Sequence, residues 1–526
     1  MRMYNHKFID EINQVLHNRG INVDDRLHVI TKALRKEEDA DPEVVDILNR
    51  TSYDVADTFQ RVYMLLGSEK FHRNLDQFYT PITIGSFLAS ICYPCKRAID
   101  PACGTGDLVV EYESENIDLW DISPTVTELA AFNFGIRDRK ASSIKTCNSI
   151  HLHDDSNDSY DYCFLNPPFG SKTILMDASV LQHYKMGRDR KKQELGILFI
   201  ERSMNLLREN GILFAIVPNG YLGNQQLKYF REYILNEHRL LGILELPSNT
   251  FSRSGTGVST SILMIQKTKT PPEDYQVFIR TISKIGYELH KKNTPMAFTE
   301  SGAIDSELPR IVDEIKTWAT QNGVPGLRTE IEDAPYDYVM KSELISKDYA
   351  FNVRRYYKQY KNLETKLRDR DRIKDLCIDA NFLFRKNNDS TYKYLDIGSV
   401  QKCMYDYEVY TGTTLPSRAL RIVKTNDIIV SKLRGKLTFT VIMEDDLIVS
   451  SGFIVLRASS HENLLKLFAL MFTEEFKIQH QSFQTGSIME SASDADILNF
   501  YVPANLATEK YEKVLEAMRT LKSALV

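Results

Sequence analysis

The sequence predicts an α/β protein built on a doubly wound, mostly parallel sheet of the Rossmann-like kind, preceded by a helical domain and followed by an α+β domain. Three observations carry this expectation. From about residue 76 to 270, short apolar runs alternate with amphipathic stretches, the pattern of strands joined by crossover helices. Before residue 75, apolar residues recur at helical steps, as in Val55, Phe59, Val62, Tyr63 and Leu66. From about residue 356 the chain turns to short strands and turns, then to apolar helical stretches at 463–479 and 505–526.

Taken in order, the central strands are expected at 97–100, 117–122, 143–149, 160–166, 211–218, 240–246 and 258–266. Each is a short run rich in β-branched, aromatic or aliphatic residues. Thr80-Pro81 and Ser123-Pro124 each pair an N-cap side chain with a proline suited to the first helical turn. Residues 194–210 and 224–238 carry apolar side chains at helical spacing. The runs YQVFIRTI and ELPRIVDEIKTWA add an edge strand and a helix. Pro, Gly and Asp turns mark a linker at 326–355. The expected domains are therefore 1–75, 76–325 and 356–526, with the linker between the last two.

Composition narrows the function classes. The 526 residues are 43% hydrophobic and 26% charged, an ordinary globular balance. No apolar run approaches the roughly 18 residues a membrane span needs, and the first residues lack the apolar stretch of a signal peptide. Seven cysteines do not make a disulfide scaffold. A reducing, cytoplasmic setting is the expectation. The net charge of −5 is unevenly spread: residues 341–526 hold 28 Lys and Arg against 24 Asp and Glu, and the remainder 38 against 47. Such asymmetry fits a polyanion-binding part joined to an acidic body.

Two motifs carry chemistry. The stretch from Asp100 to Asp107, reading DPACGTGD, follows an expected strand and precedes a helical stretch. Gly104 and Gly106 allow a tight turn and a close backbone approach to a ligand. Asp121 ends the next strand, 17 positions after Gly104, where a carboxylate accepts from ribose hydroxyls. The third glycine of a dinucleotide fingerprint is missing. The second motif is Asn166-Pro167-Pro168-Phe169-Gly170, at the end of another expected strand. Its prolines remove two N–H donors, so the Asn166 side-chain oxygen and the Pro167 carbonyl dominate as acceptors. Two acceptors on the hydrogens of a planar exocyclic amine draw its nitrogen towards tetrahedral geometry and expose the lone pair. Phe169 offers a face for base stacking.

Gln77-Phe78-Tyr79-Thr80-Pro81 completes an ordered set. QFYTP, DPACGTGD and NPPFG together resemble the gamma-class N6-adenine DNA methyltransferases, most of all the modification subunits of type I restriction-modification systems. The similarity runs over roughly residues 70–320. It implies S-adenosylmethionine as methyl donor and a target adenine flipped out of duplex DNA. It places Tyr79 and Thr80 at the methionine end of the cofactor and Asp100, Ala102, Gly104 and Gly106 around its cradle. It assigns Asp121 to the ribose and Asn148, where the family often has Asp, to the adenine ring. Asn166, Pro167, Pro168 and Phe169 become the catalytic lip, with Phe251 a candidate second stacking surface. The implied reaction is in-line attack of the amine on the sulfonium methyl carbon, with positioning worth several kcal/mol. The amine sheds its proton only after methylation, so no strong base and no metal set is expected.

Residues 350–526 resemble the target-recognition half of a type I specificity subunit, as fused in some type IIG enzymes, though no nuclease or helicase motif is present. This implies that Arg354, Arg355, Lys432, Arg434 and Lys436 face DNA. Lys185, Arg188 and Arg190, in the basic stretch after NPPFG, are candidates to hold the target strand. Each cluster equally fits a solvated face or surface loop. The seam Tyr511, Val514, Leu515, Met518, Leu521 and Leu525 fits either a core-packed helix or pairing with a second copy or a specificity subunit. A separate restriction subunit is compatible with this reading. Two alternatives stay open: transfer to a planar amine of RNA or of a protein glutamine, and a catalytically silent DNA-specificity component.

Overall fold

The computed structural model describes residues 7–50, 80–151, 157–168, 173–251, 257–289, 296–329, 334–380, 382–401, 403–433, 435, 437–484, 486 and 490–525. The expected helical periodicity at Val55–Leu66 and the residues Tyr79, Phe169, Arg434 and Lys436 lie outside them. The chain forms two compact units, Met1–Val353 and Arg354–Val526. No described helix is long and apolar enough to cross a membrane.

The first unit opens with helices Lys7–Asn18, Val23–Leu34 and Pro42–Asn49. Asp41 caps the third by accepting from the Glu43 and Val44 N–H groups, with Pro42 in the first turn. Phe8, Ile12, Leu16, Ile30, Val44 and Ile47 form a small apolar core. That core is completed by Leu129 and Phe132 of helix Pro124–Gly135.

Among the described residues of this unit eleven strands follow: β1 Ala98–Asp100, β2 Ile117–Asp121, β3 Ser143–Thr146, β4 Tyr160–Leu165, β5 Ile174–Leu175, β6 Gln193–Glu194, β7 Leu207–Pro218, β8 His238–Glu245, β9 Thr260–Lys267, β10 Gln276–Thr281 and β11 Tyr338–Met340. Nine of them make one sheet in the order β3-β2-β1-β4-β7-β9-β8-β10-β11. Strands β3, β2, β1, β4 and β7 are mutually parallel. β9 enters antiparallel between β7 and β8. The fold is thus the doubly wound, mostly parallel α/β sheet expected. Its strands read as unbroken apolar runs because helices cover both faces, among them Ile82–Ile91, Leu195–Leu206 and Leu308–Gln321. The remaining pair, β5 and β6, forms a small antiparallel ribbon.

The segment 326–355, expected as a linker, is in part structured. It supplies β11, which pairs antiparallel with β10, and helix Lys341–Ser346. Asp274 fixes that helix by accepting from the Ser342 N–H at 2.9 Å and its hydroxyl at 2.8 Å. A three-residue strand among turn residues leaves too short an alternation to read in a sequence.

The second unit is α+β. Thr391–Leu395, Glu408–Thr411, Ala419–Val423 and Leu447–Ser450 form one sheet, and Ile428–Ser431, Phe439–Val441 and Phe453–Leu456 another. The apolar stretch 463–479 is two helices, His461–Leu470 and Glu474–Ser482, because Thr473 caps the second by accepting from the Phe476 N–H. In the terminal helix Thr508–Leu525, Leu515 and Met518 are buried in the unit's own core, with Tyr511 and Val514 packed beside them. Four of the six seam residues are thereby occupied within the unit, while Leu521 is 51% exposed.

Candidate active site

The sheet changes direction between β1 and β4. From β1 the chain winds outward through β2 and β3, and from β4 it winds the other way. A crevice opens beyond the carboxyl ends at such a point. The DPACGTGD and NPP residues leave neighbouring strands there, held in register by Ile99 opposite Cys163.

The loop after β1 is fixed by its own backbone. The Ala102 N–H donates to Asp100 Oδ1 at 3.1 Å, and the Cys103 N–H donates to the Trp120 carbonyl at 2.9 Å. Gly104 and Gly106 have φ of +53° and +79°, a region other residues enter at a cost. The two glycines serve different ends. A Cβ on Gly106 would stand 2.9 Å from the Phe134 ring, so this glycine lets helix Pro124–Gly135 close on the loop. A Cβ on Gly104 would meet no atom of the described residues within 4 Å.

Asp121 is anchored at the end of β2. Its Oδ2 accepts from the Gly104 N–H at 3.0 Å and its Oδ1 from the Ser123 N–H at 2.9 Å. The Ile122 backbone N–H is a third donor to the same carboxylate. Burial pushes the Asp121 carboxyl above its ordinary range despite these donors. Burial pushes Asp100 up to about 8, with the neighbouring charge of Asp121 adding to the effect. Beside Asp121, Ile122 exposes 58% of its surface. Sequence reading missed this apolar face, since an isoleucine after a buried strand reads as core.

Two further residues missed in the sequence clamp the loop. Asn133 donates to the Thr105 carbonyl at 2.8 Å and to Asp107 Oδ1 at 3.1 Å, while the Thr105 hydroxyl bonds to the same buried Asp107. Gly85 lies where a Cβ would be 2.6 Å from the Asp107 carbonyl oxygen, so only glycine lets helix Ile82–Ile91 sit this close. Asn148, after β3, accepts the Ile150 N–H at 3.2 Å. The next residue, Ser149, donates its hydroxyl to the Pro101 carbonyl at 2.5 Å.

At the end of β4, Asn166 and Pro168 are half-buried and Pro167 is buried. The Asn166 Nδ2 donates to Thr80 Oγ1 at 3.0 Å. Thr80 therefore does not cap a helix as its position suggested. Pro81 takes the N-cap place and no side chain caps there. Ser123 is an N-cap residue by position, but its hydroxyl makes no cap bond either. Phe251 is 1% exposed inside the main apolar core, which removes it as a stacking surface.

The basic stretch after the lip is tied down at its base. Glu201, buried on helix Leu195–Leu206, accepts the Lys185 N–H at 2.5 Å and the Met186 N–H at 2.9 Å. Gln193 Nε2 bonds to the Met186 carbonyl. Lys185 pairs with Glu237. The Arg190 guanidinium lies 3.6 Å from the Tyr229 ring centroid. Arg188 has a side chain 60% exposed. In the second unit Arg354, Arg355 and Lys432 are engaged internally. Arg354 pairs with Glu490 at 3.0 Å, with side chains 15% and 5% exposed. Arg355 pairs with Asp496 at 3.3 Å and Lys432 with Asp494 at 2.9 Å. Arg385 and Lys386, which sequence reading passed over, are exposed.

A family model described as N-6 DNA Methylase matches residues 55–365. The methylase subunit of the type I restriction enzyme EcoEI of Escherichia coli is 22% identical over 249 residues, 43% of this chain and 49% of that protein. The methylase subunit of the type I restriction enzyme MpnII of Mycoplasma pneumoniae is 22% identical over 345 residues, 58% of this chain and 60% of that one. The chain thus spans about half to three-fifths of the length of these relatives. Among solved structures, the type IIG restriction endonuclease BpuSI aligns over 90% of this chain and 64% of its own, with TM-score 0.49 and 12% identity.

Proposed function

The chain belongs to the N-6 DNA methylase family, and from that premise we propose that it methylates N6 of an adenine extruded from duplex DNA, within a restriction-modification or related modification system. The observation that carries the reading is the pairing of two features at one switch point. The loop after β1 presents an open glycine face and an anchored carboxylate, and the adjacent strand ends in an acceptor-rich lip.

The residues present fit S-adenosylmethionine. Among the described residues no atom lies within 4 Å of where a Cβ on Gly104 would stand, which is what close approach of a ligand to backbone requires. Asp121, held by backbone N–H donors, presents its carboxylate to the hydroxyls of a ribose. Ile122 offers an exposed apolar face beside it. Asn148, after β3, would make a polar contact to the adenine ring, and the family resemblance assigns Tyr79 and Thr80 to the methionine end. When bound, the cofactor supplies an electrophilic methyl group on a sulfonium.

The chain's own part is positioning. Asn166 Oδ1 and the Pro167 carbonyl accept the two hydrogens of the target amine and localise its lone pair. Pro167 and Pro168 bring no N–H that would compete for those acceptors. Phe169 stacks on the base. Holding the amine in line is worth several kcal/mol of barrier. No side chain has to remove a proton before the bond forms. Arg188 and Arg190, on the stretch pinned by Glu201 and Gln193, face the phosphates of the target strand. The unit from Arg354 onward reads the site, alone or with a specificity subunit.

The test is a side-by-side assay with radiolabelled S-adenosylmethionine on duplex DNA, ribosomal RNA and a protein extract, followed by sequencing of modified adenine. The expected result is N6-methyladenine at a defined DNA sequence. Asn166→Ala should lose at least about 100-fold in rate and keep cofactor affinity. Label confined to RNA or protein would overturn the reading.

A further inference from the structure

We infer that Thr80 is a positioning residue for the transfer step: its hydroxyl fixes which edge of the Asn166 amide meets the target amine, and strengthens that edge as an acceptor. The inference rests on the functional reading above and assigns Thr80 a task distinct from contact with the cofactor. A threonine just ahead of a helix ordinarily spends its hydroxyl on the first helical N–H groups. This one does not, since no side chain caps helix Ile82–Ile91. Thr80 is 5% exposed. Its oxygen instead accepts the Asn166 Nδ2 at 3.0 Å, from a residue 86 positions away.

Two effects combine at Asn166. A primary amide carries an acceptor on one edge and donors on the other, with almost the same shape. Rotated by half a turn, Asn166 would aim hydrogens at the hydrogens of the incoming amine. Binding the nitrogen edge to Thr80 turns the oxygen edge to the other side. The second effect is electronic. An amide that donates from nitrogen becomes more polarised, so its oxygen accepts more strongly, and such cooperativity grows where water is excluded. Pro167, buried beside it, donates no hydrogen that would divert the oxygen.

The experiment compares full-length wild type with Thr80→Val, which keeps the shape without the hydroxyl, and Thr80→Ser, which keeps the hydroxyl. Rates are measured on whichever substrate class the wild type labels, and S-adenosylmethionine affinity is measured by calorimetry. For Thr80→Val the expected loss in kcat is roughly 10- to 100-fold, the scale of one partnered hydrogen bond in a dry site. The DNA KM and melting temperature should change little, cofactor affinity should fall by much less than kcat, and Thr80→Ser should recover most of the rate. Should Thr80→Val fail to fold, Thr80→Ala carries the same expectation. Unchanged kcat in a folded variant overturns the inference and leaves the proposed function standing. A fall in cofactor affinity equal to the fall in rate also overturns it, since Thr80 would then act on the cofactor alone. A wild type that labels no substrate overturns both.

Discussion

Replacing Gly104 by alanine separates the fold of the first unit from its ligand. The new Cβ meets no atom of the described residues within 4 Å, so it does not overpack against them. The backbone stays at φ +53°, which costs a non-glycine residue roughly 1–2 kcal/mol. A loss of that size lowers the melting temperature of a large unit by only a few degrees. The methyl group nevertheless occupies the space through which a ligand would approach the loop. We expect S-adenosylmethionine affinity to fall at least tenfold, about 1.4 kcal/mol. Gly106→Ala supplies the contrast, because its Cβ would lie 2.9 Å from the Phe134 ring. Overpacking of about 1–3 kcal/mol then adds to the backbone cost. The assay is calorimetric titration of cofactor beside thermal melting of both variants. The reasoning fails if folded Gly104→Ala binds the cofactor as tightly as wild type.

Other expectations follow from the same geometry. Arg188→Ala should leave stability unchanged and reduce the slope of log affinity for DNA against log salt by about 0.9; an unchanged slope would remove Arg188 from the interface. Arg354→Ala strands the buried Glu490 carboxylate and should cost the second unit about 3 kcal/mol, read as a lower denaturant midpoint. Asp100, with its pKa raised to about 8, binds a proton in the folded state that the unfolded chain has already released. Its contribution to stability is therefore present below about pH 4 and is lost as pH rises through 8, at up to about 1.4 kcal/mol per pH unit. Denaturation of Asp100→Asn at pH 5 and pH 8 should show a flatter profile than wild type, and parallel profiles would contradict the assignment. A chain ending at Val353 should lose its choice of target sequence, and sequencing of modified DNA would show unchanged specificity if site choice resided in the first unit.

Much of the first unit was legible because parallel strands covered on both faces must be apolar throughout, and the chemistry sits where those runs end. DPACGTGD and NPP could be placed at strand termini before any coordinate was known. What escaped reading depended on partners far away in the chain. The Thr80 hydroxyl looks like a cap until Asn166 is brought to it. Arg354 and Lys432 look like phosphate contacts until Glu490 and Asp494 are seen beside them. Phe251 follows a turn of polar residues, yet it faces the main core. Burial of this kind is decided by tertiary packing, not by local periodicity.

Helix Pro124–Gly135 has two employers. Leu129 and Phe132 support the three opening helices, while Asn133 and Phe134 brace the glycine loop. The opening helices thus support the helix that braces the glycine loop. Trimming them away would bare two large side chains to water and loosen the brace, so a shortened chain would grip its methyl donor poorly although every contacting residue remained. Anything that docks on those helices would press on the same lever.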